Sequence, residues 1–228
     1  MKTTFTKVAV ATVLAGTILF GGAASAATKD ETKVTDRYTA LKAGMTIEQA
    51  AKVIYGKDYK KQLTKKSNST VLKKKAEYTT VSQGQKTTAY TFSDDKNFTN
   101  ISVFQFMTKK NSSVYRLTGK SLDLFRVDSY SGARESKVKL LKGKKIKTGM
   151  TEKQLDAVLS GSGLGEWTGV DSIDWTSIQS KQELDYGLGI KALSKTYVFP
   201  TSTKQRKLVI MNYDYEKKTY TVESQTSL

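Results

Sequence analysis

The stretch AGMTIEQAAKVIYG, residues 43–56, recurs 105 residues later as TGMTEKQLDAVLSG, residues 148–161. Both copies read Gly-Met-Thr-x-x-Gln-x-x-x-Val-x-x-Gly. The shared positions are Gly44 with Gly149, Met45 with Met150, Thr46 with Thr151, Gln49 with Gln154, Val53 with Val158, and Gly56 with Gly161. A motif written twice in register predicts that one structural unit occurs twice in the chain.

Each copy carries signals that begin and end a helix. Thr46 and Gln49 form a Thr-x-x-Gln capping box, in which each side chain accepts a hydrogen bond from the backbone N–H of the other residue. The preceding methionine packs on the fourth helical residue in such motifs, and a glycine such as Gly56 ends the helix in a left-handed conformation. Apolar residues at helical spacing lie between these ends, so each copy predicts a helix of about nine residues.

The N-terminus has the order of a secretory signal peptide. Lys2 and Lys7 precede an apolar run over residues 8–20, and small residues follow up to Ala26. We therefore predict that residues 1–26 are a signal peptide cleaved after Ala26 and that residues 27–34 form a flexible leader. The protein is expected to be secreted, and either released or retained at the cell surface.

The chain contains no cysteine and no histidine. Ser-His-Asp and Cys-His nucleophilic sites are therefore excluded, and the usual zinc ligands reduce to carboxylates. No disulfide can form, so the folded state depends on packing. We expect a protein that is not an enzyme and that holds no cofactor and no metal ion.

A few short patterns still resemble catalytic elements. Ser-x-x-Lys occurs at Ser93 and Ser136, and residues 147–149 read Lys-Thr-Gly, as in penicillin-binding enzymes. The Lys-Thr-Gly leads into the second capped helix, and a chain rich in Ser, Thr and Lys produces such patterns by chance. Paired carboxylates at 94 and 95, or at 171 and 174, leave a carboxylate-dependent hydrolase as the least favoured class.

Beyond each capped helix the sequence becomes rich in Thr, Val, Tyr and Phe, with turn signals between the runs. The predicted strands are 78–82, 87–93, 101–108 and 113–127 in the first half, and 171–178, 196–199, 208–215 and 219–224 in the second. This order predicts an α+β fold. It is a tandem repeat of two units, each with short helices followed by an antiparallel sheet of about four strands, and the helices cover one sheet face.

The duplicated motif, followed by strands in an exported chain, resembles the beta-lactamase inhibitory protein (BLIP) family, whose members carry two such α/β units in tandem. A single unit is similar to the BamE (SmpA/OmlA) outer-membrane lipoprotein superfamily. The resemblance covers both helix starts, and the strands by pattern. It implies a concave sheet surface, rich in aromatic and polar residues, that grips a partner enzyme, and hence a binding protein.

Aromatic residues alternate along several predicted strands, so each pair lies on one face of its strand. One sheet face must meet the helices, and a given pair therefore serves either the core or a binding surface. Tyrosine and tryptophan combine an apolar body with a polar tip and are favoured interface anchors. The candidate protein-binding residues are Trp167, Trp175, Tyr197, Tyr213 and Tyr215.

Charge is uneven in this chain of net charge +17: residues 27–147 carry 27 Lys and Arg against 11 Asp and Glu, whereas residues 148–228 carry 9 against 10. Such an excess either attracts polyanions or forms a solvated face. Lysine greatly outnumbers arginine and no nucleic-acid motif is present, so sequence-specific binding of nucleic acid is not expected. The candidate polyanion-binding residues are Lys60, Lys61, Lys65, Lys66, Lys73, Lys74, Lys75, Lys142, Lys144 and Lys145.

The chain thus divides into a first repeat over residues 35–130, a junction over residues 131–136, and a second repeat over residues 137–228. The preferred hypothesis is an inhibitor-like module that binds an extracellular or envelope protein through an exposed sheet surface. The alternative is an envelope-associated factor held to anionic wall polymer or to a membrane surface by its lysine clusters.

Overall fold

The computed structural model describes residues 29–93, 99–126, 129, 131–201 and 204–228. The predicted signal peptide and the carboxylates at 94 and 95 lie outside these residues. The described part has an α+β fold, as predicted, with short helices, one large antiparallel sheet of eight strands and a separate two-stranded sheet.

The elements follow one another in a simple order. The helices are α1 (Lys29–Ala40), α2 (Ile47–Tyr55), α3 (Glu152–Asp156) and α4 (Lys181–Asp185), with a 3₁₀ helix over Gly56–Gln62. The strands are β1 (Leu63–Lys66), β2 (Ser69–Leu72), β3 (Tyr78–Ser82), β4 (Gln85–Phe92), β5 (Asn100–Thr108), β6 (Tyr115–Leu124), β7 (Gly169–Asp174), β8 (Lys191–Pro200), β9 (Arg206–Asp214) and β10 (Thr219–Ser227).

Strand order in the large sheet is β10-β9-β8-β7-β6-β5-β4-β3, so every strand lies beside its neighbour in sequence. Strands β3 to β6 and β7 to β10 are two antiparallel meanders of four strands. The pairing of β6 with β7 joins them into one continuous sheet.

Both predicted capping boxes are present. The Thr46 hydroxyl accepts from the Gln49 N–H at 3.2 Å, and Gln49 Oε1 accepts from the Thr46 N–H at 2.8 Å. Thr151 and Gln154 repeat these bonds at 3.4 and 2.9 Å. The two helix starts are therefore built in the same way, as their shared sequence predicts.

Each motif also contacts a later strand through the same two backbone hydrogen bonds. The Gly44 N–H donates to the Leu117 carbonyl on β6 at 2.8 Å, and the Leu117 N–H donates to the Met45 carbonyl at 2.7 Å. In the second motif, the Gly149 N–H donates to the Val222 carbonyl on β10 at 2.8 Å, and the Val222 N–H donates to the Met150 carbonyl at 2.8 Å.

Backbone conformation repeats at the same spacing. Gly44 has φ +83° and Gly149 has φ +82°, a region that residues with side chains rarely adopt. Strand β6 has one unpaired bulge residue, Thr118, and strand β10 has one at Glu223, again 105 positions later. The corresponding positions thus share hydrogen bonds, dihedral angles and sheet irregularity.

The helices cover one face of the sheet, and two apolar clusters lie beneath them. The first joins α2 to the aromatic residues of the first meander; its buried members include Ile47, Ala50, Ala51, Tyr90, Phe92, Phe104, Phe106 and Leu117. The second joins α3 to the second meander; its buried members include Leu155, Leu159, Trp167, Tyr197, Phe199, Val209, Met211 and Val222. With no cysteine in the chain, this packing is the main source of stability.

The described part of the predicted flexible leader is instead helical, because residues 29–34 begin α1. Val34 is fully buried in the second cluster, and the carboxylate of Glu31 pairs with Arg126 at 2.5 Å. The Lys120 ammonium, on β6, donates to the carbonyls of Tyr38 and Leu41 at 2.6 and 2.8 Å, where α1 ends. These contacts hold α1 against the centre of the sheet.

The second capped helix is shorter than predicted. Helix α3 ends at Asp156 after five residues, and Gly161 lies beyond its end. The backbone after α3 instead forms hydrogen bonds with the segment that precedes the motif. The Leu141 N–H donates to the Val158 carbonyl, and the Ser160 N–H donates to the Lys139 carbonyl. These bonds are incompatible with a continued helix because they use the groups that a helix would pair internally.

We predict that Thr46→Ala and Thr151→Ala each lower the free energy of unfolding by about 1 kcal/mol, because each removes the acceptor for an N–H at a helix start. Chemical denaturation of the purified variants measures the change. The matched control is Thr148→Ala, which removes an exposed threonine three residues before the second cap. An equal loss in the control would contradict the capping role.

Candidate interaction surfaces

The sheet face opposite the helices, called the open face here, is lined by small polar side chains in its centre. The register aligns Ser121, Asp171 and Ser194 in one row across β6, β7 and β8. The next row contains Asp123, with glycine and threonine beside it. The aromatic residues of β4, β5 and β8 point to the helices instead, so the centre of the open face lacks the aromatic character that the resemblance implied.

Two carboxylates lie together at the centre of the open face. A Cβ atom at Gly169 would lie 2.8 Å from Oδ1 of Asp123, so this carboxylate fits over a glycine. Burial, with the nearby charge of Asp171, raises the pKa of Asp123 to about 6. Burial also raises the pKa of Asp171, although its hydrogen bond from Ser194 acts in the opposite direction. Within the described residues, neither carboxylate forms an ion pair.

Two of the predicted protein-binding residues lie in the core and not on an exposed sheet surface. Trp167 and Tyr197 are 5% and 4% exposed. Tyr197 stacks on Phe199 with ring centroids 5.5 Å apart, and both point towards the helices. Alternation along a strand predicted the pairs correctly, but it did not reveal which sheet face the helices cover.

The other three candidates lie near one end of the second meander. Trp175 is half-buried just after β7, and Tyr213 is half-buried near the end of β9. Tyr215 is 47% exposed and packs edge-on against Tyr213, with ring centroids 5.0 Å apart. These residues remain candidates for protein contact.

The most exposed apolar residues near that end were missed from the sequence. They lie in the β7–β8 projection, residues 181–190, which contains α4 and the loop after it and is exposed throughout. Its large apolar members, with exposed fractions of 38 to 71%, are Leu184, Tyr186, Leu188 and Ile190. Two sequence signals could have revealed this projection: a Ser-x-x-Glu capping box at residues 180–183, and apolar residues placed between glycines in the segment that follows.

Hydrogen bonds order the projection at its base. The Gln179 amide donates to the Leu188 carbonyl at 2.8 Å and accepts from the Ile190 N–H at 3.1 Å. The backbone N–H of Trp175 donates to the Ile190 carbonyl at 3.0 Å, which extends the β7–β8 ladder. Ser180 and Glu183 form a complete capping box at the start of α4. The apolar side chains are therefore presented on a fixed backbone.

A second surface is formed by the 3₁₀ helix, the β1–β2 hairpin and the three residues after it; we call residues 57–75 the lysine platform. It carries eight lysines and one acidic residue, Asp58. All eight lysines are exposed, and they include the predicted Lys60, Lys61, Lys65, Lys66, Lys73, Lys74 and Lys75. The structure therefore collects these seven predicted residues on one small substructure.

The predicted Lys142, Lys144 and Lys145 lie elsewhere, in the exposed connection between β6 and α3. Acidic groups neutralise part of the charge around this connection. Lys137 pairs with Glu166 at 3.9 Å, and Glu135 pairs with Arg206 at 2.6 Å.

The patterns that resembled catalytic elements do not assemble into a site among the described residues. The Ser136 hydroxyl is buried and donates to the Leu164 carbonyl at 2.9 Å. Asp171 and Asp174 point to opposite sheet faces, because they are three residues apart on β7. In the described ranges, no cluster of three or more acidic side chains is placed to hold a metal ion.

No helix in the described part of the chain combines the length and apolar character needed to cross a bilayer. No protein-family model matches the chain, and neither a curated protein nor a solved structure is significantly similar to it.

We predict that Asp123→Asn stabilises the protein by about 1–2 kcal/mol at pH 7.5, because the ionised carboxylate is held where its charge is disfavoured. The pKa of Asp123 is raised by folding, so its destabilising effect is complete above about pH 6 and disappears as the pH falls towards 4. Thermal unfolding at both pH values measures the difference.

The matched control for this prediction is Asp185→Asn, which removes an exposed carboxylate on α4. Its effect on stability is expected to be near zero at both pH values. A stabilisation by Asp123→Asn that persisted unchanged at pH 4 would show that the gain comes from packing and not from charge.

Proposed function

We propose that this chain is a secreted, inhibitor-like module that binds an extracellular or envelope protein. The observation that carries the proposal is the β7–β8 projection, where four large apolar side chains are exposed together on an ordered backbone. Grouped exposed apolar residues mark interaction sites more often than single ones do.

The projection has the properties of an interface anchor. Tyr186 is 71% exposed and Leu188 is 58% exposed, so both gain by being covered. Because Gln179 already holds the loop at two points, a partner has little further ordering to impose. Tyrosine in the centre of an interface is often among the residues that dominate affinity. The proposed contact surface therefore consists of the projection and the neighbouring end of the sheet, with Tyr215 at its margin.

We also propose that the chain is a tandem repeat of two units. The support is the spacing of 105 residues, which relates the capping boxes, the docking bonds to β6 and β10, the glycine dihedrals and the bulges. The resemblance of the motif to the BLIP family supports an inhibitor-like role for such a tandem. On this proposal the protein acts by occupying a surface of its partner, without catalysis, cofactor or metal.

A second candidate function is retention at the envelope through anionic wall polymer or a membrane surface. The observation that favours it is the lysine platform, with eight exposed lysines and one acidic residue in 19 positions. Such a density of positive charge attracts polyanions through counterion release.

To test the first proposal, the purified protein is immobilised, incubated with culture fluid and envelope extract of the producing cells, and washed with increasing salt. A protein partner retained at about 0.5 M salt, where charge screening is nearly complete, is expected. Tyr186→Ser with Leu188→Ser should weaken its binding about 100-fold, since two anchors lose their apolar contact. Calorimetry with the identified partner measures the loss.

The matched control is Val81→Ser with Leu141→Ser, which removes two exposed apolar side chains outside the projection. This variant is expected to bind within a few-fold of the unchanged protein. If both double variants bind equally well, the projection is not the contact surface. If only polyanions are retained, and all are released as salt rises, the envelope-retention function replaces the first.

A further inference from the structure

Beyond these two general functions, we propose that the lysine platform is a specific site for a linear phosphate polymer, such as a poly(glycerol phosphate) chain. This inference rests on the envelope-retention function and deepens it, because it names both the ligand chemistry and the part of the fold that binds it. The other lysine cluster, at residues 142–145, is assigned no such role.

The lysine platform combines a high density of positive charge with full accessibility. Residues 57–75 have a net charge of +7, from eight lysines and Asp58. Only Lys61 pairs with that aspartate, at 3.0 Å, and both side chains remain largely exposed. Exposed pairs of this kind are weak, so a polyanion can displace them. The platform therefore offers nearly all of its positive charge to a ligand.

The lysines of the platform are carried by an ordered backbone. The Leu72 N–H donates to the Tyr90 hydroxyl at 3.3 Å, and Leu72 and Ser69 are almost fully buried. The Lys73 N–H donates to the Gln62 carbonyl at 2.8 Å, which extends the pairing beyond β2. The hairpin is thus fixed to the sheet, and the ammonium groups extend from a defined backbone.

The platform presents lysines on more than one side, which favours a flexible ligand. Lys65 and Lys66 are consecutive on β1, so they point to opposite faces of the hairpin. A flat membrane meets one of these faces at a time, whereas a flexible chain can pass around the hairpin and contact both. The platform, all of which is described, also contains none of the exposed large apolar residues that would enter a bilayer. These features favour a linear polymer over a membrane surface.

The cationic groups of the platform are all lysines. Lysine acts as a point charge with three donors, and it lacks the planar fork with which arginine reads carboxylates and bases. Charge-based binding of this type follows the phosphate backbone and does not depend on sequence. Lys74 lies 5.2 Å from the centre of the Phe92 ring, a contact that holds it in place without neutralising it. A polymer of repeated phosphates without bases therefore meets the requirements of the site.

The test compares two variants with the same loss of charge. Lys65→Gln, Lys66→Gln and Lys73→Gln are combined in the platform, and Lys142→Gln, Lys144→Gln and Lys145→Gln are combined in the other cluster. Binding of the full protein to purified poly(glycerol phosphate) is measured by calorimetry between about 0.05 and 0.2 M salt. The platform variant should bind about 10- to 100-fold more weakly. The slope of log affinity against log salt concentration should decrease by an amount that corresponds to about two fewer phosphate contacts.

The control triple should bind within about threefold of the unchanged protein, although its net charge is the same as that of the platform variant. A third variant, with Lys65→Arg, Lys66→Arg and Lys73→Arg, should retain binding and separate loss of charge from loss of structure. Circular dichroism verifies that all variants remain folded.

Several outcomes would overturn the proposal. Equal losses in the two glutamine triples would show that net charge, and not the platform, holds the polymer; the envelope-retention function would then stand without a localised site. Absence of polymer binding at low salt would remove the phosphate-polymer site, and absence of binding to anionic vesicles as well would remove the envelope-retention function. Tighter binding to vesicles of anionic lipid, or to single-stranded DNA, than to the phosphate polymer would assign the platform to that ligand instead.

Discussion

Strand β6 pairs with β7 at the centre of the eight-stranded sheet and joins the two meanders there. Strand β6 receives the first motif at Leu117, and it supplies Leu122 and Leu124 to the second apolar cluster. Between these positions, Lys120 holds the end of α1 by two hydrogen bonds. Because β6 contributes to both clusters and also forms the ladder to β7, the two meanders share one sheet and separating them would expose apolar surface on both sides.

The continuous sheet explains how a chain without disulfides keeps two faces with different roles. The helix-facing side holds the large aromatic and aliphatic residues, and the cores form there. The centre of the open face carries serine, glycine and two carboxylates with raised pKa values. The surfaces proposed for binding lie away from that centre, on the lysine platform and on the β7–β8 projection.

The densest positive charge and the largest group of exposed apolar side chains belong to different segments of this protein. The lysine platform belongs to the hairpin beside the first meander, whereas the projection connects two strands of the second. Residues 171–190 carry four acidic residues and one lysine, in contrast to the net charge of +7 on residues 57–75. A surface rich in lysine is suited to a polyanion, and an apolar, slightly acidic loop is suited to a protein partner. The two proposed functions therefore use different parts of the fold and do not compete for the same residues.

The local features could be predicted from the amino-acid sequence. The α+β class, both capping boxes and most of the strands follow from residue patterns within a few positions of one another, because hydrogen-bond capping and side-chain alternation are local. Other features depend on contacts between distant residues. Tyr197 is buried because the helices cover its face of the sheet, whereas Tyr215 is exposed because it lies beyond the end of β9. Helix α3 ends early because the segment at residues 139–141 pairs with backbone groups of Val158 and Ser160. Helix α1 is held in place by Lys120 and by the second apolar cluster. The projection is exposed because no element of the described chain packs over it. These outcomes arise from contacts between residues far apart in the chain, which no local pattern encodes.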